Sequence, residues 1–164
     1  MKKSYMPDII INSILELTPE FLSQKGIKGL VIDIDDTLVP HNIKEVPDDI
    51  KNWLKTLKDS GFKICAVSNN TKKRVAQFCN KLDIPFIYHS LKPLSYGYNK
   101  AKRVLELNAD VVLAVGDQIF ADIIGSKKAG MKTALVTPLS NRKGIFIGLK
   151  RKIEKIIIKN YTKS

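Results

Sequence analysis

The chain has 164 residues, 44% of them apolar and 27% charged, proportions that fit one folded domain with its own core and exclude a disordered polypeptide. Lys and Arg outnumber Asp and Glu by 28 to 16, a net charge of +12 that favours polyanionic or phosphate-bearing partners and leaves the fold open. No run of about 18 apolar residues occurs, which excludes an ordinary transmembrane helix.

At the N-terminus Asp8, Asn12 and Glu16 interrupt the apolar stretch behind Lys2 and Lys3, so no cleaved signal peptide is expected. Ile10, Ile14 and Leu17 form a small stripe expected to pack beside the core, and Thr18-Pro19 reads as a helix start. Five short apolar runs follow, at 29–33 (GLVID), 63–68 (KICAVS), 85–88 (PFIY), 111–116 (VVLAVG) and 132–137 (KTALVT). They are rich in Val, Ile and Leu and mostly do not alternate with polar residues, the pattern of parallel strands covered on both faces. Between them lie helical patterns at 48–60, 71–82, 96–108 and 119–129, with Ile50, Trp53, Leu54 and Leu57 on one face of the first and Val75, Phe78, Cys79 and Leu82 on one face of the second. Gly61 and Gly130 stand just beyond helix ends, where a left-handed residue stops the coil. Cys65 and Cys79 sit in apolar contexts and read as two buried thiols in a reducing compartment. Strands alternating with helices give an α/β, three-layer, Rossmann-like domain over 1–164, with a five-stranded parallel sheet.

In such a sheet, ligands bind beyond the carboxyl ends of the strands. The first run ends in Asp33-Ile34-Asp35-Asp36-Thr37, three carboxylates that repel one another unless a cation neutralises them, and Mg²⁺ with its preference for oxygen ligands suits that role. The second ends in Ser68-Asn69-Asn70, which reads either as a set of phosphate donors or as a cap for the helix beginning at 71. Lys92-Pro93 follows the third, a cation in a backbone that proline biases away from the helical region. The fourth ends in Gly116-Asp117, with Asp122 one helical turn on. Each feature alone has a bland reading as a cap or a solvated side chain. In this order, at successive strand ends, they supply the metal ligands, phosphate donors and fixed positive charge that phosphoryl transfer requires.

VIDIDDTLV, VSNN, the LKP lysine and VGDQIFADIIGSKKAG resemble motifs I to IV of the haloacid dehalogenase-like (HAD) phosphohydrolase superfamily. The GDQ-xxx-D form of the last motif and TPEFLSQKGIKGLVIDIDDTLVP resemble its subclass IIIA, YqeG-type group, related to phosphatidylglycerophosphatases. The resemblance runs from about Pro7 to Pro138, with Ala121 where relatives usually have Thr, Ser126-Lys127 where they usually have Gly and a polar residue, and Asp36 where Gly or Asn is common. It implies Asp33 as nucleophile and Asp35 as general acid and base. It further implies Thr37, Ser68, the amide of Asn69 and Lys92 as phosphate-binding groups, with Lys92 also screening Asp33 from Asp117. Asp33, the Asp35 carbonyl and Asp117 would hold Mg²⁺, with Asp122 as a further or more distant ligand. The implied activity is a Mg²⁺-dependent phosphatase, with phosphatidylglycerophosphate the favoured substrate. A phosphatase of a soluble or macromolecular phosphoester and a non-catalytic binding module are the alternatives, and Asp35 argues against a dehalogenase.

Ser68 follows Thr37 by 31 positions and Lys92 follows Ser68 by 24, spans too short for a cap domain, leaving the loop at 39–46, with His41, as the one obvious flap. His41 and His89 read as solvated or structural histidines, with His41 also placed to border a leaving group. From Arg142 onward eight basic residues face one acidic residue, and Ile145, Leu149, Ile153, Ile156 and Ile157 form one stripe. This basic amphipathic segment, 142–164, suits either peripheral contact with an anionic membrane, on the inner face of a cytoplasmic setting, or packing on the protein's own sheet. Nucleic acid is disfavoured, since no aromatic platform or RNA-binding motif accompanies the charge.

Overall fold

The computed structural model describes residues 6–140 together with 155, 158 and 159. Six strands, all parallel, form one sheet: β1 (Ile9–Ile11), β2 (Gly29–Ile32), β3 (Lys63–Val67), β4 (Phe86–Ile87), β5 (Val112–Gly116) and β6 (Lys132–Val136), in the order β1-β6-β5-β2-β3-β4. Among residues 6–140 five α-helices accompany them: α1 (Pro19–Gln24), α2 (Asp48–Asp59), α3 (Lys72–Leu82), α4 (Tyr96–Leu105) and α5 (Ile124–Lys128).

The non-alternating strands are explained by burial on both faces. Leu30, Ile32, Ile64, Ala66, Leu113 and Val115 join the core formed with Trp53, Leu54 and Leu57 of α2 and Val75 and Phe78 of α3. Their chain neighbours Val31, Cys65, Val67, Val112 and Ala114 point the other way, into the core under Tyr98, Ala101 and Leu105 of α4. A strand sandwiched between two helical layers has no face left for polar residues. Cys65 and Cys79 are both free and buried, and burial pushes each thiol up to about 12, so both stay protonated.

The sheet has one strand more than the five expected. Ile9–Ile11 pairs with β6 as an edge strand, where the spacing of Ile10, Ile14 and Leu17 suggested one packed stripe. Ile14 and Leu17 are buried, but Ile10 is 39% exposed, because it lies on an edge strand and the two others on the turn that follows. The pairing is fixed from outside the apolar pattern: Asp8 accepts hydrogen bonds from Thr133 N and Oγ1, both 2.8 Å, and from Lys127 Nζ at 2.9 Å. Thr18 caps α1 with Pro19 in its first turn, and Gly61 and Gly130 take positive φ after α2 and α5, as expected from the sequence.

β2 lies between β5 and β3, so the chain leaves it to build one half of the sheet and crosses back to build the other. The carboxyl ends of β2 and β5 meet at that reversal, the place where open α/β sheets bind ligands. Between β2 and β3 the chain holds the 39–46 loop and α2, and between β3 and β4 it holds α3. The expected stripe of Ile145, Leu149, Ile153, Ile156 and Ile157 lies outside the described residues; Ile158, next to it in the chain, packs against Ile119, Ile123 and Leu135. Among the described residues no helix is long and apolar enough to cross a membrane.

Candidate active site

Asp33 directly follows β2, and Asp117 directly follows β5, whose Val115 pairs with Ile32. Past Asp117 the expected helix begins as a wide, π-helical turn over Ile119–Ile123, in which Asp122 N and Ile123 N both donate to the Gln118 carbonyl at 2.8 and 3.2 Å. That turn brings the Asp122 carboxylate back over Gly116, where an added Cβ would stand 2.3 Å from Asp122 Cγ. Only glycine fits beneath it. One carboxylate oxygen each of Asp33, Asp117 and Asp122 come within 4.8 Å of one another, and all three residues are buried.

Lys92 reaches into this cluster with a side chain only 4% exposed, its Nζ 2.5 Å from Asp33 Oδ1 and 2.7 Å from Asp122 Oδ1. The ammonium thus bridges Asp33 and Asp122. Burial alone would lower its pKa, but the charges of Asp122 and Asp33 outweigh that and hold it well above the ordinary value. Tyr98, whose hydroxyl donates to Asp122 Oδ1 at 3.3 Å, is raised well above its usual pKa, first by burial and then by the Asp122 charge, and stays a neutral donor. Asp122 Oδ2 accepts from Gln118 N at 3.1 Å, so three donors fix this carboxylate. Asp33 is pushed up to about 7, by burial above all; Lys92 opposes that, while the charges of Asp122 and Asp35 add to it.

A cavity of about 430 Å³ opens over these groups, lined by Asp33, Asp35, Ser68, Asn69, Asn70 and Lys92, with Phe120 on its wall. Ser68, at the end of β3, is buried and accepts from Asn70 N at 3.1 Å. The helix cap is Thr71, whose hydroxyl accepts from Arg74 N, so Ser68 and Asn69 are not needed for that purpose. The Asn69 side chain grips the lysine loop: Oδ1 accepts from Ser90 Oγ at 2.9 Å and Lys92 N at 2.8 Å, and Nδ2 donates to the Lys92 carbonyl at 3.0 Å. The Lys92–Pro93 peptide is cis. Thr37, expected to bind phosphate, is buried, and its hydroxyl donates to Asp33 Oδ2 at 3.4 Å.

Asp35 turns toward the cavity mouth and meets a residue that sequence reasoning passed over. Arg74 Nη2 donates to Asp35 Oδ1 at 2.8 Å and to the His41 carbonyl at 2.8 Å, Nη1 donates to the Ile43 carbonyl at 3.1 Å, and the guanidinium lies 4.5 Å from the centre of the Phe78 ring. Asn70 Nδ2 donates to Asp35 Oδ2 at 3.3 Å. The 39–46 loop is thereby fastened to α3, with Lys81 adding a 3.0 Å ion pair to Glu45. Arg74 was hidden as one more cation on an amphipathic helix; only its partner, 39 residues away, marks it. Asp36 is buried at φ +66°, a conformation that Gly, Asn and Asp tolerate best, and accepts from His41 N at 3.3 Å and from the Ser140 hydroxyl. His41 itself pairs with Ser140 at 2.8 Å, and His89 is exposed beside the Tyr88 ring.

The donor set is all oxygen, and its three buried carboxylates carry more negative charge than one ammonium balances. That chemistry fits a hard divalent cation. A family model described as haloacid dehalogenase-like hydrolase matches residues 4–136. The chain is 34% identical to the Bacillus subtilis (strain 168) protein named Probable phosphatase YqeG, over 96% of this chain and 92% of that one. It is 23% identical to the Arabidopsis thaliana protein named Phosphatidylglycerophosphate phosphatase 1, chloroplastic/mitochondrial, over 95% of this chain but 48% of that one. A solved cobalt-bound deoxy-D-mannose-octulosonate 8-phosphate phosphatase from Haemophilus influenzae shares the fold, with a TM-score of 0.58 and 16% identity over 68% of this chain and 69% of that one. The chain belongs to the haloacid dehalogenase-like hydrolase family.

Proposed function

We propose that this chain is a Mg²⁺-dependent phosphomonoester phosphatase that works through an aspartyl-phosphate on Asp33, and that its substrate is phosphatidylglycerophosphate, which it converts to phosphatidylglycerol. Phosphatase activity itself follows from the family and from the 34% identical relative. The observation that carries the mechanism is the Lys92 ammonium bridging Asp33 and Asp122 on the floor of a cavity that Asp35 also lines.

Asp33 attacks phosphorus, and the bond to the leaving oxygen breaks as Asp35 delivers it a proton. Asp35, now a carboxylate, takes a proton from water, which attacks the aspartyl-phosphate and frees phosphate and Asp33. Lys92 and Ser68 bind phosphoryl oxygens, and Asn69 holds the lysine loop in place. Thr37 orients Asp33. Asp33, Asp117 and the Asp35 carbonyl would hold Mg²⁺, while Asp122 positions Lys92. When bound, the ion neutralises the carboxylates and the phosphoryl group so that two anions can meet.

The lipid substrate draws support from the Arabidopsis relative's name and from the short connection between β2 and β3, which holds only the 39–46 loop and α2 beside the site and so suits a headgroup attached to something large. Purified protein should hydrolyse p-nitrophenyl phosphate with Mg²⁺ and lose that activity in EDTA. Among phosphatidylglycerophosphate, sugar phosphates, nucleotides and phosphopeptides, the lipid should give the highest kcat/KM. Faster turnover of a soluble phosphoester would move the substrate assignment to that class.

A further inference from the structure

The loop that carries Lys92 has two sides. Lys92 points inward, while Leu91 and Leu94 point out, 54% and 55% exposed, with Tyr88 and Tyr96 exposed to either side in the chain. Leu91 sits at φ +59°, a region that costs a bulky L residue energy and persists only where the surroundings impose it. Here they do: Asn69 holds Ser90 and both backbone polar groups of Lys92, and Leu94 N donates to the Leu91 carbonyl at 2.8 Å. Two further exposed apolar residues stand at this end of the sheet, Ile43, whose carbonyl accepts from Arg74, and Leu139, whose N–H donates to the Asp36 carbonyl at 3.0 Å. Of the nine large apolar side chains exposed among the described residues, six therefore gather around the active site.

Cations interleave with them. Lys72 lies 5.8 Å from the Tyr88 ring centre and Lys100 lies 4.5 Å from that of Tyr96. Lys72 and Lys73 occupy the first turn of α3, where the helix dipole disfavours positive charge and no acidic residue compensates. Helix stability does not account for lysines there; a negatively charged partner would. Leucines to insert, tyrosines to sit at headgroup level and lysines to meet phosphates are the combination that binds a charged bilayer.

We infer that this end of the molecule, with Leu91 and Leu94 foremost, docks on an anionic bilayer surface so that the cavity faces the headgroups. The inference rests on the proposed lipid phosphomonoester substrate and adds how the enzyme reaches it.

The test uses the full chain and phosphatidylcholine vesicles with and without phosphatidylglycerol. The Leu91→Ser/Leu94→Ser double variant should sediment with anionic vesicles about tenfold more weakly than the wild type or worse, while its p-nitrophenyl phosphate turnover stays within about twofold. A second readout does not depend on that variant folding. Since Cys65 and Cys79 are buried, an environment-sensitive fluorophore can be placed on Leu94→Cys, or on Val104→Cys at the far end of α4, beside the start of β2. Anionic vesicles should brighten and blue-shift the label at 94 and leave that at 104 unchanged. Equal binding by wild type and double variant, no binding by either at low salt, or a label at 94 that ignores the vesicles or is already shielded without them would overturn the inference. Self-association of the wild type that the double variant loses would overturn it too, by making the patch a contact between copies. The vesicle readouts involve no chemistry, so they separate from the substrate assay. Docking without lipid hydrolysis would sink the substrate alone, and hydrolysis in detergent without docking would sink the surface alone.

Discussion

In the proposed mechanism Asp35 acts on the leaving group, which requires its carboxylate to be aimed there, and Arg74 holds that carboxylate. One guanidinium spans Asp35, the His41 carbonyl and the Ile43 carbonyl. A planar fork of five donors can serve three acceptors at once, which a lysine ammonium on a different stem cannot reproduce. Removing it takes away the Asp35 ion pair and one fastening of the 39–46 loop together, and takes no contact from Asp33, Lys92, Asp117 or Asp122. Arg74→Met should therefore lower kcat on p-nitrophenyl phosphate about 10- to 100-fold with KM altered less than about threefold, and Arg74→Lys should recover part of the loss. Steady-state kinetics on the three proteins checks this; a change confined to KM would show that Arg74 binds substrate and does not position Asp35.

At the level of elements, the least expected is β1, three residues held to the sheet as much by Asp8 as by their own backbone pairing. Partial burial raises the Asp8 pKa, but hydrogen bonds from Lys127 and Thr133 outweigh it and hold the carboxyl below its ordinary value. A group whose pKa is lower in the folded state binds fewer protons there than when unfolded, so its stabilisation is complete above the unfolded value and fades as the pH falls through the folded one. Asp8→Asn should cost about 1 kcal/mol at neutral pH, a modest figure because the side chain is nearly half exposed. Urea denaturation should show that difference shrinking below about pH 4, near the ordinary carboxyl value. A difference independent of pH would mean that the amide had broken packing and not a charge pairing.

For the molecule as a whole, what could be read in advance divides along physical lines. The central strands were legible because burial on both faces leaves a run of apolar residues with nothing polar to interrupt it, as in 111–116. The edge strand was not, since Ile9–Ile11 has one neighbour, exposes Ile10, and owes its place to a carboxylate next to it in the chain and to a threonine 125 residues away. Residues at strand ends were legible as site candidates because topology alone brings them to one edge. Arg74 and Tyr98 come from within helices, and only the tertiary fold brings them to Asp35 and Asp122. Thr37 shows the opposite case: its position near Asp33 was readable, but the direction of its hydroxyl, toward Asp33 at 3.4 Å, was not. All these contacts serve one claim, that phosphorus passes transiently to Asp33. Its most direct test is acid quenching of the enzyme in mid-turnover with a substrate carrying labelled phosphate, followed by peptide mapping. The label should appear on the peptide containing Asp33 and be absent from Asp33→Asn, which should also release no phosphate. Turnover by the wild type without label at Asp33, or phosphate release by Asp33→Asn at the wild-type rate, would contradict it.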